Sequence, residues 1–208
     1  MLFFLTSLVF AVVPNGWNLV GTTNGVEVAS KKVEGKNVFA FRGEATTDVS
    51  VAKLISILTD ESGSPKWVNM MVGSDVIKTY DVNTNLLHQT YDIPWPMDDR
   101  DYLFKKTIEF DSTAKKVMVH LTSVEDALMP PQAGYVRAEG EKTLWSFEVL
   151  PSGKTKIIVE VVTDPKGSMP DWLVNSVQED WPHKTITALL SYARSSDLKP
   201  HTNCDGWQ

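Results

Sequence analysis

The chain has 208 residues, 42% of them hydrophobic and 22% charged, with 20 basic against 26 acidic residues and a net charge of -6. These proportions describe a folded, water-soluble body rather than a disordered one, and they argue against nucleic acid as a partner. The single cysteine, Cys204, excludes an internal disulfide, while 7 Trp and 8 Phe leave open whether the rings fill a solid core or line a cavity.

The chain begins with an uncharged apolar run over residues 2–13. A bilayer span needs about 20 apolar residues, so the run is too short to cross; it suits the apolar region of a secretory signal peptide. Val9-Phe10-Ala11 offers a small-residue cleavage site, although no Lys or Arg precedes Lys31. The expectation is an apolar leader over 1–13 and an exported, periplasmic or secreted protein; a buried first element, with the protein cytoplasmic, is the alternative.

Strands are expected over 25–32 and 37–45 as a hairpin, the second alternating Phe39 and Phe41 with Ala40 and Arg42. Over 48–59 the period changes: Val51, Leu54, Ile55 and Leu58 form a helical stripe, with Asp48 or Ser50 as N-cap. Strands follow over 75–82, 85–92, 101–110, 116–125, 134–149 and 154–163, joined by polar turns. Ser168 and Asp171 have capping-box spacing and open a long final helix. Pro182 separates its two apolar stripes and predicts a kink near 179–181. Residues 196–208 read as a polar tail that frays. Nothing between 16 and 195 looks like a linker, so one α+β domain is expected, an antiparallel sheet of about seven to nine strands curled around the last helix.

Chemical motifs are sparse. The four histidines are scattered, and no nucleophile elbow, phosphate loop or dinucleotide fingerprint occurs, so neither metal nor cofactor is expected. Asp98, Asp99 and Asp101 around Arg100 read as a turn with local ion pairing rather than a catalytic carboxylate pair. Along 101–110, Tyr102, Phe104, Lys106, Ile108 and Phe110 share one face. Lys106 is thus a cation on an apolar face, and it must snorkel, pair with a carboxylate or meet a polar ligand group. Arg137 raises the same question, with pairing to Glu139 or a neighbouring strand as the plain reading. Trp145 and Phe147 share a face and are either core or ligand wall.

The segment Tyr91-Asp92-Ile93-Pro94-Trp95-Pro96-Met97-Asp98-Asp99-Arg100-Asp101-Tyr102 resembles the Pro-aromatic-Pro…Arg-Asp segment of the START family of lipid-transfer domains. Gly134-Tyr135-Val136-Arg137 resembles that family's Gly-x-x-Arg strand, and residues 164–175 its Asp-Pro-x-Gly-x-x-Pro-x-Trp-x-x-Asn approach to the last helix. The likeness covers about 16–195 and is strongest to the exported bacterial branch.

The resemblance implies the helix-grip fold and a tunnel for one lipid or sterol. It further implies transfer without catalysis, no cofactor, transient membrane contact and a monomer. The expected ligand-binding residues are Lys106, Arg137, Tyr102, Phe104, Trp145, Phe147, Trp172 and Asn175. Lys106 matches the position at which family members hold a polar head, and lysine there lacks arginine's phosphate-fitting fork. An empty tunnel of about 500 Å³ would cost on the order of 12 kcal/mol, so something must fill it. The alternatives are a helix-grip enzyme using Lys106, His120 or Arg137 on an apolar substrate, and a lipid-sensing module.

Overall fold

Asn24 and Gly25, with φ of 51° and 78°, form the two-residue turn that joins β1 (Asn18–Thr23) to β2 (Val26–Lys32). Asn-Gly is the sequence pair that tolerates this left-handed geometry. Strand β1 was not expected, because it is an exposed edge without alternation. The structure is a computed structural model that describes residues 13–36, 38–167 and 171–207, with backbone alone over 171–178. The expected leader over 1–12 lies outside the described residues.

Strand β3 (Phe39–Thr47) completes the first sheet segment, and α1 (Val51–Leu58) follows. Ser50 is the N-cap, its hydroxyl accepting from the Lys53 amide at 3.3 Å. The predicted stripe Val51, Leu54, Ile55 and Leu58 is buried throughout. A 3-10 turn over Glu61–Lys66 leads to β4 (Met71–Asp81), β5 (Thr84–Tyr91), β6 (Asp99–Asp111) and β7 (Lys116–Ser123). The expected strand 134–149 is two strands, β8 (Tyr135–Arg137) and β9 (Glu139–Val149). The chain changes partner at Ala138, whose amide donates to the Asp101 carbonyl at 2.9 Å. Strand β8 runs parallel to the start of β6, while β9 pairs with β7 and β10 (Thr155–Asp164).

Among the described residues, ten strands form one sheet in the order β1-β2-β3-β10-β9-β7-β6-β5-β4, with β8 beside β6. Among the same residues no strand pairs with the outer edge of β1 or of β4, and the β4 pairing with β5 is interrupted at Met71/Gly73, Val76/Lys78 and Thr79/Asp81. The final helix α2 (Asp171–Ser195) passes through Pro182 as one helical span and lies on β2 and β3. One apolar cluster joins Leu54 and Ile55 of α1, Val119, Phe147 and Val159 of the sheet, and Ile186 and Leu189 of α2. Each such buried side chain contributes about 1.5–3 kcal/mol relative to exposure. The helix approaches closely because position 43 has no side chain: a Cβ on Gly43 would lie 2.9 Å from both Ile186 Cδ1 and Pro182 Cβ.

The segment after α2 packs rather than frays. Lys53 Nζ donates to the Ser196 carbonyl at 2.6 Å and also to that of Leu198. The His201 amide donates to the Ala52 carbonyl at 2.9 Å, and its ring stacks on Phe110 at 5.5 Å. Cys204 and Trp207 are buried in the same cluster as α1. Two apolar side chains three positions apart are too few to produce a periodic signal, which is why the segment reads as a loose tail. Among the described residues, no helix is long and apolar enough to cross a membrane.

Candidate functional site

Alternation along β6 puts Arg100, Tyr102, Phe104 and Lys106 on one face, and all four line a pocket of about 140 Å³ between the sheet, the 3-10 turn and α2. Leu58, Glu61 and Ser64 close one side; Ile93, Met97 and Pro165 lie on loops at another. Trp145 from β9 and Trp181 from α2 complete an aromatic wall with Trp67. Trp67 meets Trp145 edge-on at 5.8 Å, and Trp181 lies 6.3 Å from Trp145. Tyr102 stacks on Phe104 at 5.1 Å and takes Tyr91 edge-on at 5.3 Å.

Lys106 is 4% exposed, and its ammonium donates to the Glu61 carboxylate and to the Leu58 carbonyl. The sequence left three fates open for this lysine; the structure gives it a carboxylate partner beside the pocket. The carbonyl is one that the end of α1 leaves without an intrahelical partner, where a cation is favourable. Glu61 was missed because Asp60-Glu61-Ser62-Gly63 reads as a turn and carries no period.

Burial pushes the Tyr91 and Tyr102 hydroxyls well above the ordinary tyrosine value, with the charge of Arg100 pulling Tyr102 partly back. Both are therefore neutral at physiological pH. Tyr91 donates to Gln89 Oε1 at 3.2 Å, and Gln89 donates to Ser74 Oγ at 3.4 Å.

Tyr102, Phe104, Lys106 and Trp145 are thus brought together on the pocket wall. Phe147 is not among the lining residues; it is fully buried, its ring parallel to Trp145 at 5.9 Å, in the solid core. The side chains of Trp172 and Asn175 lie outside the described residues.

Arg137 lies away from the pocket, because its partner strand position, Asp101, points to the face of β6 opposite Lys106. Its Nε and Nη2 donate to the two Asp101 oxygens at 3.0 and 2.8 Å, a two-pronged pair. His88 Nε2 adds a third contact at 2.9 Å. Burial alone would raise the Asp101 carboxyl, but the Arg137 and His88 bonds outweigh it and hold it below its ordinary value. The local pairing expected among Asp98 to Asp101 is not formed: Asp101 goes to Arg137, Asp99 accepts from the Ile93 amide at 3.1 Å, and Arg100 donates to carbonyls. His120 also faces away from the pocket, 3.7 Å from Glu109. No cluster of metal-ligating side chains occurs among the described residues.

The START domain family model matches residues 11–181. The chain belongs to the START family. An uncharacterized protein of Pseudomonas aeruginosa is 28% identical over 193 residues, covering 91% of this chain and 94% of that one. Human START domain-containing protein 10 is 28% identical over 168 residues, and the match covers 77% of this chain but only 55% of that relative. The crystal structure of a STAR-related lipid transfer protein fragment from Xanthomonas axonopodis superposes with a TM-score of 0.76 at 26% identity, covering 86% and 99% of the two chains. Human StAR-related lipid transfer protein 5, at 20% identity, shares the fold with a TM-score of 0.81 over 87% of this chain and 88% of its own. The START assignment agrees with the α+β helix-grip architecture of the described residues.

Proposed function

We propose that this START protein binds one lipid or sterol in the pocket behind β6 and carries it between membranes as a monomer, without chemical turnover. The observation that carries this reading is the pocket wall, where aromatic and aliphatic side chains surround a buried Lys106–Glu61 pair. Left dry, about 140 Å³ of apolar void would cost about 3 kcal/mol, less than the tunnel foreseen from sequence but a large share of a domain's stability. A lipid offsets that cost. Trp95 is 92% exposed beside the pocket-lining Ile93 and Met97, a position suited to brief contact with a bilayer surface. Export through the apolar residues 1–11 completes the reading.

An enzyme would need a free nucleophile, acid or base in the pocket. Of the three candidates, His120 and Arg137 face elsewhere and Lys106 is held by Glu61, which favours a carrier. Native mass spectrometry of the purified protein should find a lipid bound one to one, and the protein should speed lipid movement between vesicles. A ligand-free protein that moves no lipid would overturn the proposal.

A further inference from the structure

Two cations line the pocket along β6, and they differ in what balances them. Lys106 is neutralised by Glu61. Arg100 is 3% exposed and donates only to backbone carbonyls, Nε to Pro165 at 3.1 Å, Nη2 to Lys166 at 3.0 Å, and Nη1 to Asp98. Among the described residues no carboxylate pairs with it. A guanidinium has five N–H donors, so two remain uncommitted. A buried charge without a counter-charge is expensive, and it is retained where something anionic completes it.

We infer that Arg100 is the subsite for an anionic head, a carboxylate or phosphate, of a lipid held in this pocket. The inference rests on the lipid-carrier reading above and names the ligand class within it. Six residues separate Arg100 from Lys106, about 20 Å along an extended strand. The head therefore sits at the Arg100 end, near the loops carrying Met97 and Pro165, and the apolar chain runs past Tyr102 and Phe104 towards Trp145. The same guanidinium ties Pro165 and Lys166, on the approach to α2, to the start of β6. A bound anion would take the two remaining donors of the same guanidinium, so the head and the approach to the helix meet at one side chain.

The test compares oleate with oleyl alcohol, identical in chain and different in head charge, by titrating the intact protein at pH 8.5. Wild type should bind oleate at least about tenfold more tightly, the scale of one charge-assisted hydrogen bond. In Arg100→Gln that ratio should fall to within about threefold. Equal affinities in wild type, or an unchanged ratio in the variant, would overturn the Arg100 assignment while leaving the carrier reading intact. Failure of both probes to bind would overturn the carrier reading and this inference with it. Because Arg100→Gln also loosens a loop, a second readout uses wild type alone: oleate should shift the Arg100 Nε–H resonance and the alcohol should not, and equal shifts overturn the assignment. Inorganic phosphate alone should produce no saturable shift; saturation by phosphate would assign the cation to a free anion instead.

Discussion

Lys106 on β6 donates to Glu61 on the 3-10 turn after α1, and both side chains are almost fully removed from solvent. Removing one member strands the other. Lys106→Met is expected to lower stability by about 3–5 kcal/mol, whereas the double change with Glu61→Leu should recover most of the loss. Urea denaturation of the two variants measures this, and a single variant as stable as wild type would contradict the buried pairing.

Position 43 tests how tightly α2 sits on the sheet. Gly43→Ala places a methyl 2.9 Å from Ile186 Cδ1 and Pro182 Cβ, so the helix must shift or the core must strain. The expected loss is about 1–3 kcal/mol, with faster amide exchange in residues 183–190. Unchanged stability and exchange would show that the helix does not rest there.

Cys204 reports on the segment after α2. Burial, reinforced by the charge of Asp205, pushes its thiol up to about 11. At pH 8 the native protein should react with a thiol reagent far more slowly than the urea-unfolded chain. Reaction at the unfolded rate would mean that residues 197–207 do not pack against α1.

Acid should weaken the fold through Asp101. Its carboxyl binds a proton less readily when folded than the unfolded value of about 3.9, so the unfolded chain takes up more protons as pH falls. The stabilisation is complete above about pH 5 and is lost as pH drops through the folded value. Glu44 and Asp164, both lowered despite burial, add loss of the same sign. Asp101→Asn should be less stable at pH 7 and show a shallower decline in stability from pH 5 to 2; an identical slope would remove Asp101 from the account.

Trp95 should matter to transfer and not to holding. Trp95→Ala is expected to slow lipid delivery to vesicles several-fold while leaving affinity for a soluble lipid analogue unchanged, since Trp95 is exposed and its ring is not part of the pocket wall. A fall in affinity equal to the fall in delivery would count against a docking role.

Much of this architecture is legible in sequence because its signals are periodic. The stripe Val51, Leu54, Ile55 and Leu58 marks the buried face of α1, and the alternation of β6 puts Lys106, Tyr102 and Phe104 on one face. What escaped was non-local. Glu61 sits in a turn-like run, the parallel pairing of β8 with β6 is announced by no local pattern even though Arg137 meets the expected kind of partner, a carboxylate on a neighbouring strand, and Phe147 lies deeper than its neighbour Trp145 although both obey the same alternation. Strand β1 escaped for a different reason. An exposed edge needs no apolar alternation to pair, so nothing periodic marks it.

The interruptions along β4 bear on how such a protein stays dispersed. An open sheet leaves a row of unsatisfied amides and carbonyls at each rim, and on β4 this row lies beside the exposed side chains of Val72, Val76 and Tyr80. A regular rim of that composition invites another chain to extend the ladder. Three breaks within eleven residues spoil the spacing that an incoming strand would have to match. The irregular rim therefore works as a guard against fibre-like growth, and the apolar surface there remains usable without becoming adhesive.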